Sequence, residues 1–277
     1  MAAFLTSFTS NEVTRTGIEI GRGSYGRVLE VYVRGTLCAA KEIHSILLEN
    51  RSSEELKSMK DSFFTECAKG IIHHPNVIQI LGIHHPAQSQ EIPLPWLIME
   101  KMETNLTDFL SKQEKENVTF RLKLSILVDI SQGLEFLHGQ DIIHRDLSSN
   151  SILLTKQCVA KISDFGKAKI IERNWQKHSR MPGTLHFMPP EATSVDSHYD
   201  TPIDVFSLGC IACHVMSHQW PEPKNQVQQH TMIALTEVQR RDKYLQSFTH
   251  SLLRSLIELC LYHLACIVPS LATAKRG

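Results

Sequence analysis

The sequence predicts an α+β fold of two lobes, a strand-rich first lobe with one main helix and a helical second lobe. Three observations lead there. The early stretch IEIGRGSYGRVLEVYVRGTLCAAKEI alternates apolar and polar residues, is rich in Val and Ile, and turns at its glycines, which is the period of strands. After Glu103 the apolar spacing becomes helical. No internal repeat and no parallel βαβ alternation interrupts this order. The change falls near Lys101–Thr104, so the expected lobes are 1–102, with a short lead over 1–17, and 103–261, followed by an atypical tail over 262–277.

Each element follows in turn. SEELKSMKDSFFTECAKGI, from Ser53 to Ile71, has helical spacing and an early acidic pair. HHPNVIQILGI and LPWLIMEKM predict two further strands around a Pro-containing loop. TNLTDFLSKQ predicts a short helix. RLKLSILVDISQGLEFLHGQ predicts a long one, with Leu124, Leu127, Val128, Leu134 and Leu137 on its apolar face. SILLT and VAKIS predict two short strands, a polar stretch leads to Pro190, and a helix surrounds Phe206–Met216. Leu252–Ala272 is apolar but broken by Arg254, Glu258, His263 and Pro269. A membrane span needs roughly 20 apolar residues in a row, so this segment reads as a buried amphipathic helix.

Composition narrows the function classes. With 42% hydrophobic and 21% charged residues in 277, the chain is an ordinary globular protein able to bury a substantial core. Lys+Arg and Asp+Glu are equal at 29 each, which argues against broad electrostatic capture of nucleic acid. The opening MAAFLTSFTSNEV lacks the basic start and apolar run of a secretory signal, and seven scattered cysteines fit reduced thiols and a cytoplasmic address. Cys210, Cys213 and His214 spell the C-x-x-C-H of haem attachment, but DVFSLGCIACHVM is small or apolar on every helical face, so core packing is the better reading. His73-His74 and His84-His85 lack the i,i+4 spacing of a helical ligand pair and read as loop residues.

Gly21, Gly23 and Gly26 form G-x-G-x-x-G. In a dinucleotide-binding fold this motif opens a helix. Here RVLEVYV continues as a strand, which predicts a hairpin lid whose glycines let backbone amides approach phosphate oxygens. Lys41 follows Cys38-Ala39-Ala40, surroundings too apolar for an ordinary surface charge.

The order GRGSYGRV, CAAKEI, FFTEC, LIMEKM, HRDL, DFG, PPE and DVFSLG, at these separations, resembles the eukaryotic protein kinases of serine/threonine type, tyrosine-kinase-like group, from about Ile18 to Leu261. The resemblance implies a bilobal kinase fold, ATP and magnesium as cofactors, protein substrates, and neither nucleic-acid binding nor membrane insertion. It implies that Lys41 supplies a charge for the α- and β-phosphates and that Glu66 holds it extended. Val28 and Ala39 would lie above the adenine ring and Leu153 below it. Glu100 and Met102 would offer it backbone hydrogen bonds, with Met99 behind them. Asp146 is the expected base or orienter for the incoming hydroxyl, Asp164 the magnesium ligand, and Asp204 a brace for the catalytic loop through its backbone amides. Arg145 would pair with a phosphate added at Ser179 or Thr184 by an upstream kinase; otherwise the loop is unphosphorylated and merely polar.

Four departures stand out. Ser148 replaces a lysine that contacts the γ-phosphate, and Ser151 stands where an asparagine would hold a second metal. A serine hydroxyl can ligate magnesium, but its oxygen is closer to the backbone. Gly70 falls where a large apolar residue is usual, a loss of roughly 1 kcal/mol of helix packing relative to alanine. Leu261–Ala272 contains no arginine to pair with Glu191, and removing one half of such a buried pair costs roughly 3–5 kcal/mol. The two leading readings are a serine/threonine kinase of weakened activity and a pseudokinase, a nucleotide-binding or scaffold module. A dinucleotide-dependent oxidoreductase fails for want of βαβ units.

Overall fold

The structure, a computed structural model, describes residues 6–23, 26–43, 72–86, 95–114, 116–165, 168–170, 187, 201–218, 254, 255, 257 and 260. It divides into two compact units, Met1–Glu103 with Ser163–Lys167, and Thr104–Ile162 with Ala168–Gly277. The predicted helix over Ser53–Ile71, with Glu66 and Gly70, lies outside the described residues, as do Ser179, Thr184, Glu191 and 262–277.

The first unit is built on strands β1 (Ser7–Phe8), β2 (Val13–Gly23), β3 (Gly26–Val33), β4 (Thr36–Ile43), β5 (Ile80–His84) and β6 (Trp96–Glu100), in the sheet order β1-β5-β6-β4-β3-β2. Strands β2, β3, β4 and β6 pair antiparallel in succession, as do β5 and β6. Arg34 and Gly35, with φ of 49° and 79°, make the two-residue turn between β3 and β4, the left-handed geometry that matches the twist of a hairpin. The glycine motif is likewise a hairpin: Gly23 pairs with Gly26 and β3 runs on from it, so no helix follows.

Period-two alternation gives the sheet two faces. Leu29, Val31 and Val33 of β3, Cys38 and Ala40 of β4, and Trp96 and Ile98 of β6 join Phe8 in one apolar cluster. The intervening residues form rows on the other face, where Val28 pairs with Lys41, Glu30 with Ala39, Lys41 with Leu97 and Ala39 with Met99.

Strand β2 begins at Val13, five residues before the alternation read from Ile18, and carries irregular register between Arg15 and Gly21. β1 was not expected at all. It pairs parallel to β5, Ile83 donates its amide to Thr6 O at 2.8 Å, and His84 Nδ1 donates to Phe8 O at 2.9 Å. His84 is therefore a buried strand residue, not a loop residue as its sequence neighbours suggested. Gly82 permits this close approach: a Cβ there would overlap the Thr6 carbonyl oxygen and stand 2.7 Å from Phe8 Cε2. Gly82→Ala is expected to cost about 2 kcal/mol or more by displacing β1 and Phe8. An unchanged denaturation midpoint would contradict that docking.

The second unit contains β7 (Thr104–Asn105), α1 (Leu106–Lys112), α2 (Phe120–Gly139), β8 (Ile142–Ile143), β9 (Ile152–Leu154), β10 (Ala160–Ile162), β11 (Lys169–Ile170) and α3 (Pro202–Ser217). Strands β10, β9 and β7 form one small sheet, and β11 and β8 another. Asn105 caps α1 by accepting the Asp108 amide at 2.8 Å, Thr119 caps α2 by accepting that of Leu122 at 3.2 Å, and Pro202 opens α3 with its preset φ.

The buried stripe of α2 is Ile126, Leu127, Ile130, Leu134 and Leu137, whereas Val128 is 52% exposed. The expected face was thus rotated: Ile126 and Ile130 continue the i,i+4 row, and Val128 falls across the helix from them. Asp129 ties the same helix to β10 by accepting the Ala160 amide at 2.9 Å. Helix α3 is buried nearly all round, including Cys210, Cys213 and His214, so the C-x-x-C-H string is core packing. Among the described residues, no helix is long and apolar enough to cross a membrane.

Candidate active site

In the first unit, the functional side chains sit on the sheet face opposite the apolar cluster. Lys41 Nζ donates to Asp164 Oδ1 at 2.7 Å, joining residues 123 apart in sequence. Lys41's side chain is largely shielded, at 22% exposed, while Asp164's is open to solvent at 57%. Asp164 has φ of 67°, in the left-handed region that costs an ordinary residue about 1–2 kcal/mol. The next residue, Phe165, is fully buried and anchors this turn, leaving the carboxylate exposed. Glu66, the expected partner of Lys41, lies outside the described residues.

Val28 lies in register with Lys41, and Ala39 is two residues along the same strand. Gly21 packs beside Val28, and Gly23 and Gly26 close the hairpin; Ser24 and Tyr25 at its tip are outside the described residues. At the end of β6, Met99 and Met102 are buried. The Glu100 amide donates to Gln79 O at 3.1 Å and its carboxylate accepts the Gln79 amide at 2.8 Å. Both contacts fasten the end of β6 to Gln79. Two residues that motif reading missed also stand here. Glu30 shares the row of Ala39 and Met99, and its carboxylate lies 3.5 Å from Lys101 Nζ. Only the alternating register, placing Glu30 two residues after Val28, hinted at it.

In the second unit, Asp204 of α3 organises the HRD segment. Its fully buried carboxylate accepts the amides of His144 at 2.7 Å and Arg145 at 2.9 Å, and lies 3.0 Å from His138 Nε2. The expected bracing of the loop through its backbone amides is met. Arg145 has φ of 70°, and these two charge-assisted bonds hold it there. The Asp146 amide donates to His144 Nδ1 at 3.2 Å, which leaves the ring proton on Nε2.

Ser148 and Ser151 close the following turn. Ser151 Oγ accepts the Ser148 amide and donates to Ser148 O, both at 2.9 Å, and Asp146 O lies 3.4 Å away. Ser149 Oγ lies 2.8 Å from His214 Nδ1 on α3. Burial, with a smaller contribution from His218, holds the His214 imidazole down to about 4, so it meets Ser149 as a neutral ring near pH 7. Leu153 is half-buried on the side of β9 opposite the buried Ile152 and Leu154. Phe187 is buried, and its carbonyl accepts the Ser207 hydroxyl of α3 at 2.8 Å.

These surroundings bear on a divalent cation. Asp164 presents exposed carboxylate oxygen, which suits a hard ion. Ser151 suits it poorly: it is buried, and its hydroxyl is engaged inside the loop.

The family model of the protein kinase domain matches residues 15–264. A probable serine/threonine-protein kinase of Dictyostelium discoideum, kinX, is 32% identical over 213 residues, covering 74% of this chain and 18% of that protein. A second probable serine/threonine-protein kinase of the same organism is 34% identical over 214 residues, covering 77% of this chain and 34% of its own length. The serine/threonine/tyrosine-protein kinase HT1 of Arabidopsis thaliana is 28% identical over 197 residues, covering 70% of this chain and 48% of its own. The chain thus spans less than half of the length of each of these relatives. With motifs, sheet topology and a match over most of its length in agreement, the chain belongs to the protein kinase domain family.

Proposed function

We propose that the chain is an ATP-dependent protein kinase of the tyrosine-kinase-like kind, transferring the γ-phosphate to serine or threonine hydroxyls of protein substrates. The observation that carries this reading is the 2.7 Å contact between Lys41 and Asp164, reached from opposite ends of the first unit's sequence. A cation that meets phosphate oxygens and a carboxylate that meets a metal have little reason to be paired for stability alone. A partly exposed ion pair contributes only about 0–1 kcal/mol.

In this reading Asp146 orients the attacking hydroxyl and takes its proton, while Lys41 balances charge on the α- and β-phosphates. Magnesium held by Asp164 supplies neutralisation of the phosphate charge when bound. The glycines 21, 23 and 26 cover the phosphates. Val28 and Ala39 take one face of the adenine ring, with Glu100 and Met102 at its edge. Arg145 reads a phosphate placed on Ser179 or Thr184 by an upstream kinase. The lobes are 1–102 and 103–261, and the working compartment is the cytoplasm.

Ser151 acts in this scheme as a loop-closing residue and not as a second metal ligand. Transfer then runs with fewer fixed charges than the family pattern provides, which slows chemistry without removing the nucleotide site. Each tenfold in rate corresponds to about 1.4 kcal/mol of barrier. Ser151→Asn is expected to raise the transfer rate by about tenfold at fixed magnesium. An unchanged rate would show that the loop serine is not limiting.

The reading is tested by two measurements on the purified chain. ATP with magnesium should raise the melting temperature, and labelled γ-phosphate should appear on a generic protein substrate. Binding without transfer would leave the pseudokinase reading in its place.

A further inference from the structure

We infer that Glu30 and Lys101 form a strap that positions the Glu100–Met102 backbone for the adenine ring. They are thus positioning residues for the base and not for the phosphates. This rests on the kinase reading above.

The ladder between β4 and β6 ends where Cys38 pairs with Glu100, and β6 itself ends there. Beyond that point the backbone of Lys101 and Met102 has no strand pairing to hold it, yet it must present peptide groups at a fixed spacing. Two sets of contacts secure the exit. Gln79 grips Glu100 through both its amide and its carbonyl. One residue on, Lys101 reaches back to the Glu30 carboxylate at 3.5 Å.

The anchor end is well fixed. Glu30 pairs with Ala39, which pairs with Met99, so the three form one row across β3, β4 and β6 on the face opposite the apolar cluster. Its carbonyl also accepts the Thr16 hydroxyl of β2 at 3.0 Å. The two side chains are 14% and 24% exposed, shielded enough for the attraction to exceed that of an ordinary surface pair. The strap therefore crosses beside Ala39, where the base is expected, whereas charge on the phosphates is met by Lys41, with Asp164 as the metal ligand. That division yields a signature which general destabilisation would not produce.

Calorimetric dissociation constants for ATP, adenosine and inorganic tripolyphosphate, measured on wild type, Glu30→Gln, Lys101→Met and the charge-exchanged Glu30→Lys/Lys101→Glu double variant, test the strap. Each single variant should weaken adenosine and ATP by about fivefold with tripolyphosphate unchanged, and the exchanged pair should recover most of the loss. Equal weakening of tripolyphosphate, or unaltered adenosine binding, would overturn the strap alone. Wild type that binds neither ATP nor tripolyphosphate would overturn the kinase reading, and the strap with it. Lys101→Met lies beyond the sheet and keeps the test open if Glu30→Gln fails to fold.

Discussion

Lys41→Met is expected to lower phosphate transfer by about 10²–10³-fold while the protein stays folded. The substitution keeps the apolar stem that packs in register with Val28 and Leu97 and removes only the ammonium. Asp164 loses its 2.7 Å partner, but its carboxylate is more than half exposed and stays solvated, so stability should change by no more than about 1 kcal/mol. The two effects separate cleanly in an initial-rate assay run beside a thermal melt. A variant that transfers at the wild-type rate would remove Lys41 from the chemistry. One that fails to fold would make the contact structural.

Asp204→Ala should have the larger effect on stability, a loss of about 3–5 kcal/mol. The carboxylate is fully buried and accepts two amides of the HRD segment besides lying 3.0 Å from His138. Hydrogen bonds to a charged group contribute about 1.5–3 kcal/mol each, and their loss leaves buried amides without that acceptor. Arg145 would also lose the amide bond to Asp204 that helps hold its left-handed φ of 70°. Asp204→Asn, which keeps one acceptor oxygen, should lose about half as much. Urea denaturation measures both, and a loss below about 1 kcal/mol for the alanine variant would refute the bracing role.

Much of this was legible in the chain. Alternation marked β3 and β4 because one face of each packs on an apolar cluster, which forces a period of two, while β5 and β6 were read as strands from their apolar runs. Lys41, Asp146, Asp164 and Asp204 were marked by motif order, and Asp204 proved to hold the loop as expected. Contacts between distant residues were harder. The contact of Lys41 with Asp164 was not foreseen, because no local pattern encodes a contact across 123 residues; the expected partner Glu66 lies outside the described residues.

β1 escaped because two residues cannot carry a period, and its only trace was Gly82 in an otherwise bulky strand. The face of α2 was misjudged because Val128 is apolar yet exposed, and exposed single apolar residues are common. The inward hydrogen bonding of Ser151 was hidden because residue type alone does not tell whether a hydroxyl serves a metal or its own loop.

The most direct measurement is the initial rate of labelled γ-phosphate transfer from ATP to a generic protein by wild type and by Asp146→Ala, with equal amounts of folded protein. Removing the group that takes the hydroxyl proton should lower the wild-type rate by about 10²–10⁴-fold. Indistinguishable rates in the two proteins, whether both near zero or both substantial, would contradict phosphoryl transfer at this site.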